Sequence, residues 1–411
     1  MFRILILLII LPLQYVLFSR ARRWLKDRHP QNRWQKRALT ILFLVFNGAL
    51  VLVTILRPRL LDPPSWFLFG CVYPFYIWHS STFLIGLVVA ASALAKLPFV
   101  VGFWISRRFS FFRRKVEKLR AQESFQRFNA SRRVFLRRGM YGLTATSFAG
   151  TSYGLLSSRM AHEATSAEFP IPNLHPQLNG LSIALVSDIH SSVFMTKNDM
   201  DAYVRGVNDL RADLIVVTGD FVNGLTEEVY PFAESFSNLK APLGVYGVMG
   251  NHDFYAPDPD IVAREVDGCG VKLLRNDKVV IQKGDGKIYL IGIDDVGNPE
   301  RAAHKMNIAT GPTIPLDIPR ILLCHRPYFI QQAAEKRMDL VLSGHTHGGQ
   351  IVFGQFGNIL MTPAALTSPY VWGKYRVADT HMYVSRGIGT VGIPVRINCP
   401  PEITKILLTR A

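Results

Sequence analysis

A chain of 411 residues, 49% of them hydrophobic, is longer than one ordinary domain and fits either a membrane protein or a large α/β core. Its formal charge of +17 is unevenly placed, because residues 1–138 hold 24 of the 47 Lys and Arg but only 4 of the 30 Asp and Glu, leaving the remainder nearly neutral. A basic excess confined to the part with the longest apolar runs is a membrane signature, and it argues against nucleic acid as a partner.

Four apolar stretches come first, at 4–18, 38–56, 66–105 and 139–156. Two of them approach the roughly 20 residues that a helix needs to cross the hydrocarbon core, while the first is at the short end. That first stretch has only Arg3 before it and a strongly basic segment after it, the reverse of a secretory leader, so it reads as a retained anchor with its N-terminus outside. The third is interrupted by Pro74, His79, Lys96 and Pro98 and reads as one broken span or as two. His79 and Lys96 read more simply as a helix-end His and a snorkelling Lys than as an intramembrane site.

Segment 20–37 carries eight basic residues, and 107–138 carries twelve against two glutamates, which assigns both to the cytoplasm. The last span then carries the chain outward, so that everything after Ser157 is expected to be extracytoplasmic. Ser131-Arg132-Arg133-Val134-Phe135-Leu136-Arg137 reads either as a twin-arginine export signal or as a basic flank. The expected organisation is a membrane anchor of about four transmembrane helices over 1–158, a proline-punctuated linker over 159–179 and a folded domain over 180–411.

Beyond the linker, strand-like runs alternate with helical ones: 181–187 then 198–210, 214–218 then 229–239, and 244–249 then 261–266. Further short strands are expected at 288–293, 320–324, 340–343 and 381–384. Alternation of this kind predicts a layered α/β domain with partly parallel sheets, and the later excess of strands predicts a second sheet packed on the first. Cys71, Cys269, Cys324 and Cys399 show no C-x-x-C spacing and encode no zinc knuckle.

The residues that carry chemistry all follow predicted strands: Asp188 and His190, Asp220, Asn251 with His252 and Asp253, His325, and His345 with His347. Ligands bind at the carboxyl ends of strands in open α/β sheets, so these separate loops converge. Each piece alone is weak, since Gly-Asp is commonly a turn and Asn a helix cap, but the ordered set is specific. Imidazole and carboxylate ligands suit Mn2+, Fe or Zn2+. A carboxylate such as Asp220 can bridge two such cations held about 3.5–4 Å apart, which together activate water and clamp a phosphoryl group.

These motifs resemble the signature blocks of the calcineurin-like metallophosphoesterase superfamily over 181–350. The resemblance implies a four-layered α/β sandwich of two mixed sheets flanked by helices, and two divalent metal ions. It implies that Asp188, His190, Asp220 and His347 hold one ion, and that Asp220, Asn251, His325 and His345 hold the other. His252 would then protonate the leaving oxygen or stabilise phosphoryl charge, with Asp253 orienting it. The tail, Gly344-His345-Thr346-His347-Gly348-Gly349-Gln350 with Ser385-Arg386-Gly387-Ile388-Gly389 and Pro400-Pro401-Glu402-Ile403, is similar to bacterial membrane-linked phosphoesterases that include some UDP-2,3-diacylglucosamine hydrolases. A lipid-linked phosphodiester or pyrophosphate is the expected substrate; the alternatives are an extracytoplasmic phosphodiesterase or phosphatase of unrelated substrate, or a non-catalytic metal-binding receptor. Arg386 and Arg396 are expected either to meet an anionic substrate or to close a strand pair.

Overall fold

A computed structural model of the protein describes residues 2–56, 63–106, 108–160, 162–311, 315–357 and 359–411. The chain divides into two compact units, the first ending at Tyr153 and the second beginning, for its main part, at Gly154.

The first unit is helical: α1 (Phe2–Arg28), α2 (Arg33–Leu56), α3 (Ser65–Phe67), α4 (Tyr73–Ser106), α5 (Ser110–Ala121) and most of α6 (Glu123–Met160). A π-helical turn at Leu68–Val72 joins α3 to α4 just before Pro74, whose ring removes a backbone donor. The stretch expected as one broken span or two is therefore a single helical run, Ser65–Ser106, of 42 residues. Among the described residues, this run and Arg33–Leu56 are the two helices long and apolar enough to cross a membrane. The stretches at 4–18 and 139–156 instead occupy apolar parts of α1 and α6, helices that elsewhere are strongly basic. His79 is fully satisfied within this unit: Gln14 Nε2 donates to its Nδ1 (2.7 Å), and its Nε2–H donates to the Phe46 carbonyl (3.2 Å). These bonds tie α1, α2 and α4 together, so the polar ring serves as interhelical glue.

The second unit holds two six-stranded sheets. The first contains β1 (Glu163–Ile171), β2 (Leu181–Val186), β3 (Leu214–Val217), β4 (Val245–Gly247) and β5 (Lys272–Leu273); the second contains β6 (Asp277–Lys283), β7 (Gly286–Ile293), β8 (Arg320–Cys324) and β9 (Leu340–Ser343). A separate hairpin pairs β10 (Gly354–Phe356) with β11 (Ile359–Met361), and β12 (Gly373–Val377), β13 (Thr380–Val384) and β14 (Glu402–Arg410) complete the sheets. Strand order is β1-β14-β2-β3-β4-β5 in one sheet and β12-β13-β9-β8-β7-β6 in the other. Both are mixed: β14 runs antiparallel to β2, β12 to β13 and β6 to β7, while the central strands are parallel.

Side-chain alternation explains why the central strands read as continuous apolar runs. Leu181, Ile183 and Leu185 join Leu214, Val216, Leu290, Ile321, Leu323, Leu340 and Leu342 in a core drawn from both sheets. Ala184, Val186, Ile215 and Val217 face the other way and pack on α7 (Lys197–Asp209), α8 (Val229–Phe236) and α10 (Pro259–Gly268). On the second sheet, Ile291, Ile293, Leu322 and Val341 pack on α11 (Pro299–Thr310) and α12 (Ile330–Glu335). Strands buried on both faces lose the polar alternation of a half-exposed sheet. The remaining helix, α9 (Asn251–Tyr255), follows β4 directly and carries site residues.

The region expected as a linker, 159–179, contains β1, which pairs in parallel with β14. Its Ala167, Phe169 and Ile171 are buried at period two, and Pro170 is tolerated because β1 is an edge strand.

Candidate metal centre

Each expected ligand lies just beyond a strand. Asp188 and His190 follow β2, Asp220 follows β3, Asn251 opens α9 after β4, His325 follows β8, and His345 and His347 follow β9. Beyond the sheet the β2 and β3 loops continue to bond: Asp188 N–H donates to the Gly219 carbonyl (3.1 Å) and His190 N–H to that of Asp220 (3.0 Å). Five of these residues adopt left-handed backbone conformations, with φ of 52° at Asp188, 49° at His190, 56° at Asp220, 74° at His345 and 52° at His347. Strain of this kind persists where a functional geometry is over-determined.

The side chains converge on Asp220. Its Oδ1 accepts the His252 backbone N–H (2.8 Å), while its Oδ2 lies 3.4 Å from His190 Nε2 and 3.2 Å from His325 Nε2. On one side, His347 Nε2 is 3.0 Å from His190 Nε2 and 3.4 Å from Asp188 Oδ1; on the other, His345 Nδ1 is 3.3 Å from His325 Nε2. Potential ligand atoms of Asp188, His190 and His347 form one tight group and those of Asp220, His325 and His345 another, each within 4.8 Å. All of these side chains are buried or nearly so.

Hydrogen bonding orients the rings. His325 Nδ1–H donates to the Thr218 carbonyl (2.7 Å), which leaves Nε2 to face Asp220. His252 Nδ1–H donates to the Asn223 carbonyl (2.9 Å). Asp253, expected to orient His252, instead accepts the backbone N–H groups of Asp220 (2.9 Å), Val222 (3.1 Å) and Gly250 (2.8 Å). It fastens the β3 and β4 loops to each other, and the Asn223 carbonyl takes the orienting contact because a following-residue carboxylate at the start of α9 points back to its own N-terminal amides.

The electrostatics match a cation site. Burial pushes His190 well below the usual imidazole range, and burial with the neighbouring His325 pushes His345 down to about 2. Burial also takes His347 down to about 4 against the pull of Asp188. Burial opposes charge on His325 as well, but Asp220 overrides it and raises His325 to about 10. Asp220, which burial alone would push up, is held well below the carboxylate range by His325. His190 Nε2 and His347 Nε2 meet at 3.0 Å, while the Nδ1 atoms of both rings and Asn251 Oδ1 are buried with no hydrogen-bond partner. An orphaned amide oxygen within a cluster of buried imidazoles and carboxylates is what a bound cation would resolve.

Arg386 and Arg396 prove structural. Arg396, 2% exposed, donates to the carbonyls of Arg386 (2.8 Å), Gly387 (3.2 Å), Gly389 (2.6 Å) and Cys399 (3.1 Å) and buttresses the His347 carbonyl (3.4 Å). Arg386 pairs with Glu402 and with Glu163 (2.8 Å). The supporting carbonyls of Thr218 and Asn223 escaped sequence reasoning because a backbone acceptor leaves no residue-type signal. The Arg326–Asp295 ion pair (2.8 Å), beside His325, had one: Asp295 also follows a strand, β7.

A family profile described as calcineurin-like phosphoesterase matches residues 181–349. The "Transmembrane protein with metallophosphoesterase domain" of Danio rerio is 34% identical over 270 residues, 63% of this chain and 60% of that protein. The chain thus spans about 60% of the length of that relative and of its Bos taurus counterpart. The "Uncharacterized metallophosphoesterase YkuE" of Bacillus subtilis is 32% identical over 289 residues, 68% of this chain and 97% of that protein. A Helicobacter pylori metallophosphoesterase is 31% identical over 334 residues, 78% of this chain and 82% of its own length. With converging His and Asp side chains at the strand ends and a relative matched over nearly its whole length, the chain belongs to the calcineurin-like phosphoesterase family, whose members are metal-dependent phosphoester hydrolases using two divalent ions.

Proposed function

We propose that this chain is a membrane-anchored hydrolase of phosphodiester or pyrophosphate bonds, with a lipid-linked substrate. The observation that carries the reading is the position of Asp220 Oδ2 between His190 and His325. In this reading Asp188, His190, Asp220 and His347 hold one divalent ion, and Asp220, Asn251, His325 and His345 hold the other, within a four-layered sandwich. Two such ions supply Lewis-acid activation of water and neutralise charge on the phosphoryl group. Asp253 keeps the Asp220 and Gly250 loops in register. His252, like His345, is only partly buried, and its Nδ1–H is fixed on Asn223, so Nε2 is the atom that delivers a proton to the leaving oxygen.

Anchoring by several spans suits a substrate that shares the bilayer. The two apolar helices and a relative named as a transmembrane protein support that reading. The basic segments favour an extracytoplasmic catalytic unit in a bacterial inner membrane. UDP-2,3-diacylglucosamine, the best named substrate, is made in the cytoplasm and requires the opposite orientation. A reporter fused after Leu156 decides between them: cytoplasmic reporter activity sinks the extracytoplasmic assignment. Purified full-length chain, loaded with manganese and assayed on bis-p-nitrophenyl phosphate, nucleotide sugars and lipid phosphodiesters, tests the activity. Two ions bound per chain with no hydrolysis of any of these overturns the proposal.

A further inference from the structure

A second candidate site lies in the helical unit, where α1, α2, α4 and α6 line a half-open cavity of 660 Å³. That volume falls within the range of about 300–1,000 Å³ typical of sites that bury a small organic ligand. Leu17, Phe18, Phe43, Ile85, Val89 and Phe148 make its walls apolar. The polar groups at its edge spend their hydrogen bonds on each other, since Trp78 Nε1–H donates to Gln14 Oε1 (3.2 Å) and Gln14 Nε2 donates to His79 (2.7 Å). Two cationic side chains break the pattern: Arg20 and Arg137 both line the cavity, and among the described residues neither has a carboxylate partner. Trp24 and Tyr141, packed edge to face at 6.2 Å, lie in the same wall.

We propose that this cavity binds one membrane lipid with a phosphate headgroup, its acyl chain between the four helices and its phosphate against Arg20 and Arg137. The assignment rests on the reading of the first unit as embedded in a bilayer. Charge decides the class of occupant, because guanidinium groups recognise phosphate and the apolar walls demand a chain that free phosphate lacks. Topology agrees. Arg20 belongs to the basic segment 20–37 and Arg137 to 107–138, both assigned to the cytoplasmic side, where anionic lipids concentrate. Two segments far apart in sequence thus meet at one cavity, as residence on one side of the membrane requires.

Brominated lipids test this directly, because bromine on an acyl chain quenches a tryptophan that it touches. Trp24 and Trp78 line the cavity, whereas Trp66 and Trp104 of the same unit are exposed at 73% and 60%. Full-length chain is placed in phosphatidylcholine nanodiscs, and the Trp78 contribution is taken as the difference from Trp78→Phe. Brominated phosphatidic acid is expected to quench that contribution at a lower lipid fraction than brominated phosphatidylcholine, by about fivefold for each arginine engaged. Arg20→Gln with Arg137→Gln removes the preference, and Ala145→Phe, which fills the cavity, removes Trp78 quenching while leaving Trp66 and Trp104 quenched. Equal quenching by the two lipids, or a preference unchanged in the double variant, overturns the proposal. Relief of the quenching by inorganic phosphate at matched ionic strength assigns the arginines to a free anion and also overturns it. Absence of quenching at Trp66 and Trp104 overturns the bilayer reading and this proposal together, whereas failure at Trp78 alone overturns only this one.

Discussion

His252 donates its Nδ1–H to the carbonyl oxygen of Asn223 across 2.9 Å, a contact that fixes the ring with Nε2 as its free nitrogen. A backbone acceptor stabilises the imidazolium as well as the neutral ring, which suits a residue that gives up a proton and regains it. His252→Gln is expected to lower kcat by about 10²–10⁴ with little change in metal content. The loss should grow as the leaving group becomes more basic, because a good leaving group such as p-nitrophenolate needs no proton. A loss of equal size for aryl and alkyl esters would remove His252 from the role of acid.

Asp220 is expected to be indispensable to both ions, since its Oδ2 faces both histidine groups while its Oδ1 is already taken by the His252 N–H. Asp220→Asn keeps the shape and an acceptor for that N–H but removes the charge. Metal analysis of the purified variant should give fewer than one bound ion per chain, against two for the parent. Undiminished stoichiometry would show that the two ligand sets do not share this carboxylate.

The candidate centre was legible in sequence because each proposed ligand follows a strand that is buried on both faces, so β2, β3, β8 and β9 announce themselves as mostly apolar runs ending in a polar residue. Less regular elements were not. β1 hides behind Pro170 in what reads as a linker, and only pairing with β14, more than 200 residues away, makes it a strand. β5 is two residues long and carries no period of its own. α11 did have a start signal, with Asn298 capping Arg301 N–H (2.9 Å) and Pro299 in the first turn, but its polar surface leaves a weak apolar stripe. Arg386 and Arg396 lay beyond local reasoning, because their partners are carbonyls and a glutamate brought together by the fold.

Glu402 gives the second unit an acid limit. Burial alone would raise its carboxyl, but Arg386, with hydrogen bonds from Thr404, Tyr383 and Thr165, holds it below the usual range. A folded-state pKa below the unfolded value of about 4.3 means that this contribution is complete above that pH and drains away as pH falls through the folded value. Tyr383 sets the alkaline side: burial and the adjacent Glu402 push its hydroxyl up to about 12. Its contribution is complete below the unfolded value of about 10 and is lost as pH rises through the folded one. Urea midpoints followed by proteolysis of the second unit should therefore fall on both limbs. Glu402→Gln should flatten the acid limb and cost about 3–5 kcal/mol at neutral pH, the usual result of removing one partner from a buried pair. An acid limb that survives in this variant would assign it to other carboxylates.

Gly387 and Gly392 allow backbone strain to be separated from its effect on the centre. Both have left-handed backbones, with φ of 67° and 70°. A Cβ added at Gly387 would lie 2.6 Å from Asp188 Cβ, whereas at Gly392 it would meet nothing within 4 Å. Alanine at either position pays the left-handed penalty of roughly 1–2 kcal/mol, so both variants should lose comparable stability from that source. Only Gly387→Ala must also displace Asp188, whose carboxylate accepts the His345 N–H at 2.9 Å and faces His347. Gly387→Ala is therefore expected to weaken metal binding by more than about tenfold, comparable to the loss of a supporting partner of a metal ligand, while Gly392→Ala binds as the parent does. Titration of the two variants with manganese measures the difference directly. Matching affinities would mean that the Asp188 loop yields to the added methyl, and that its left-handed geometry is not what holds the ligand in place.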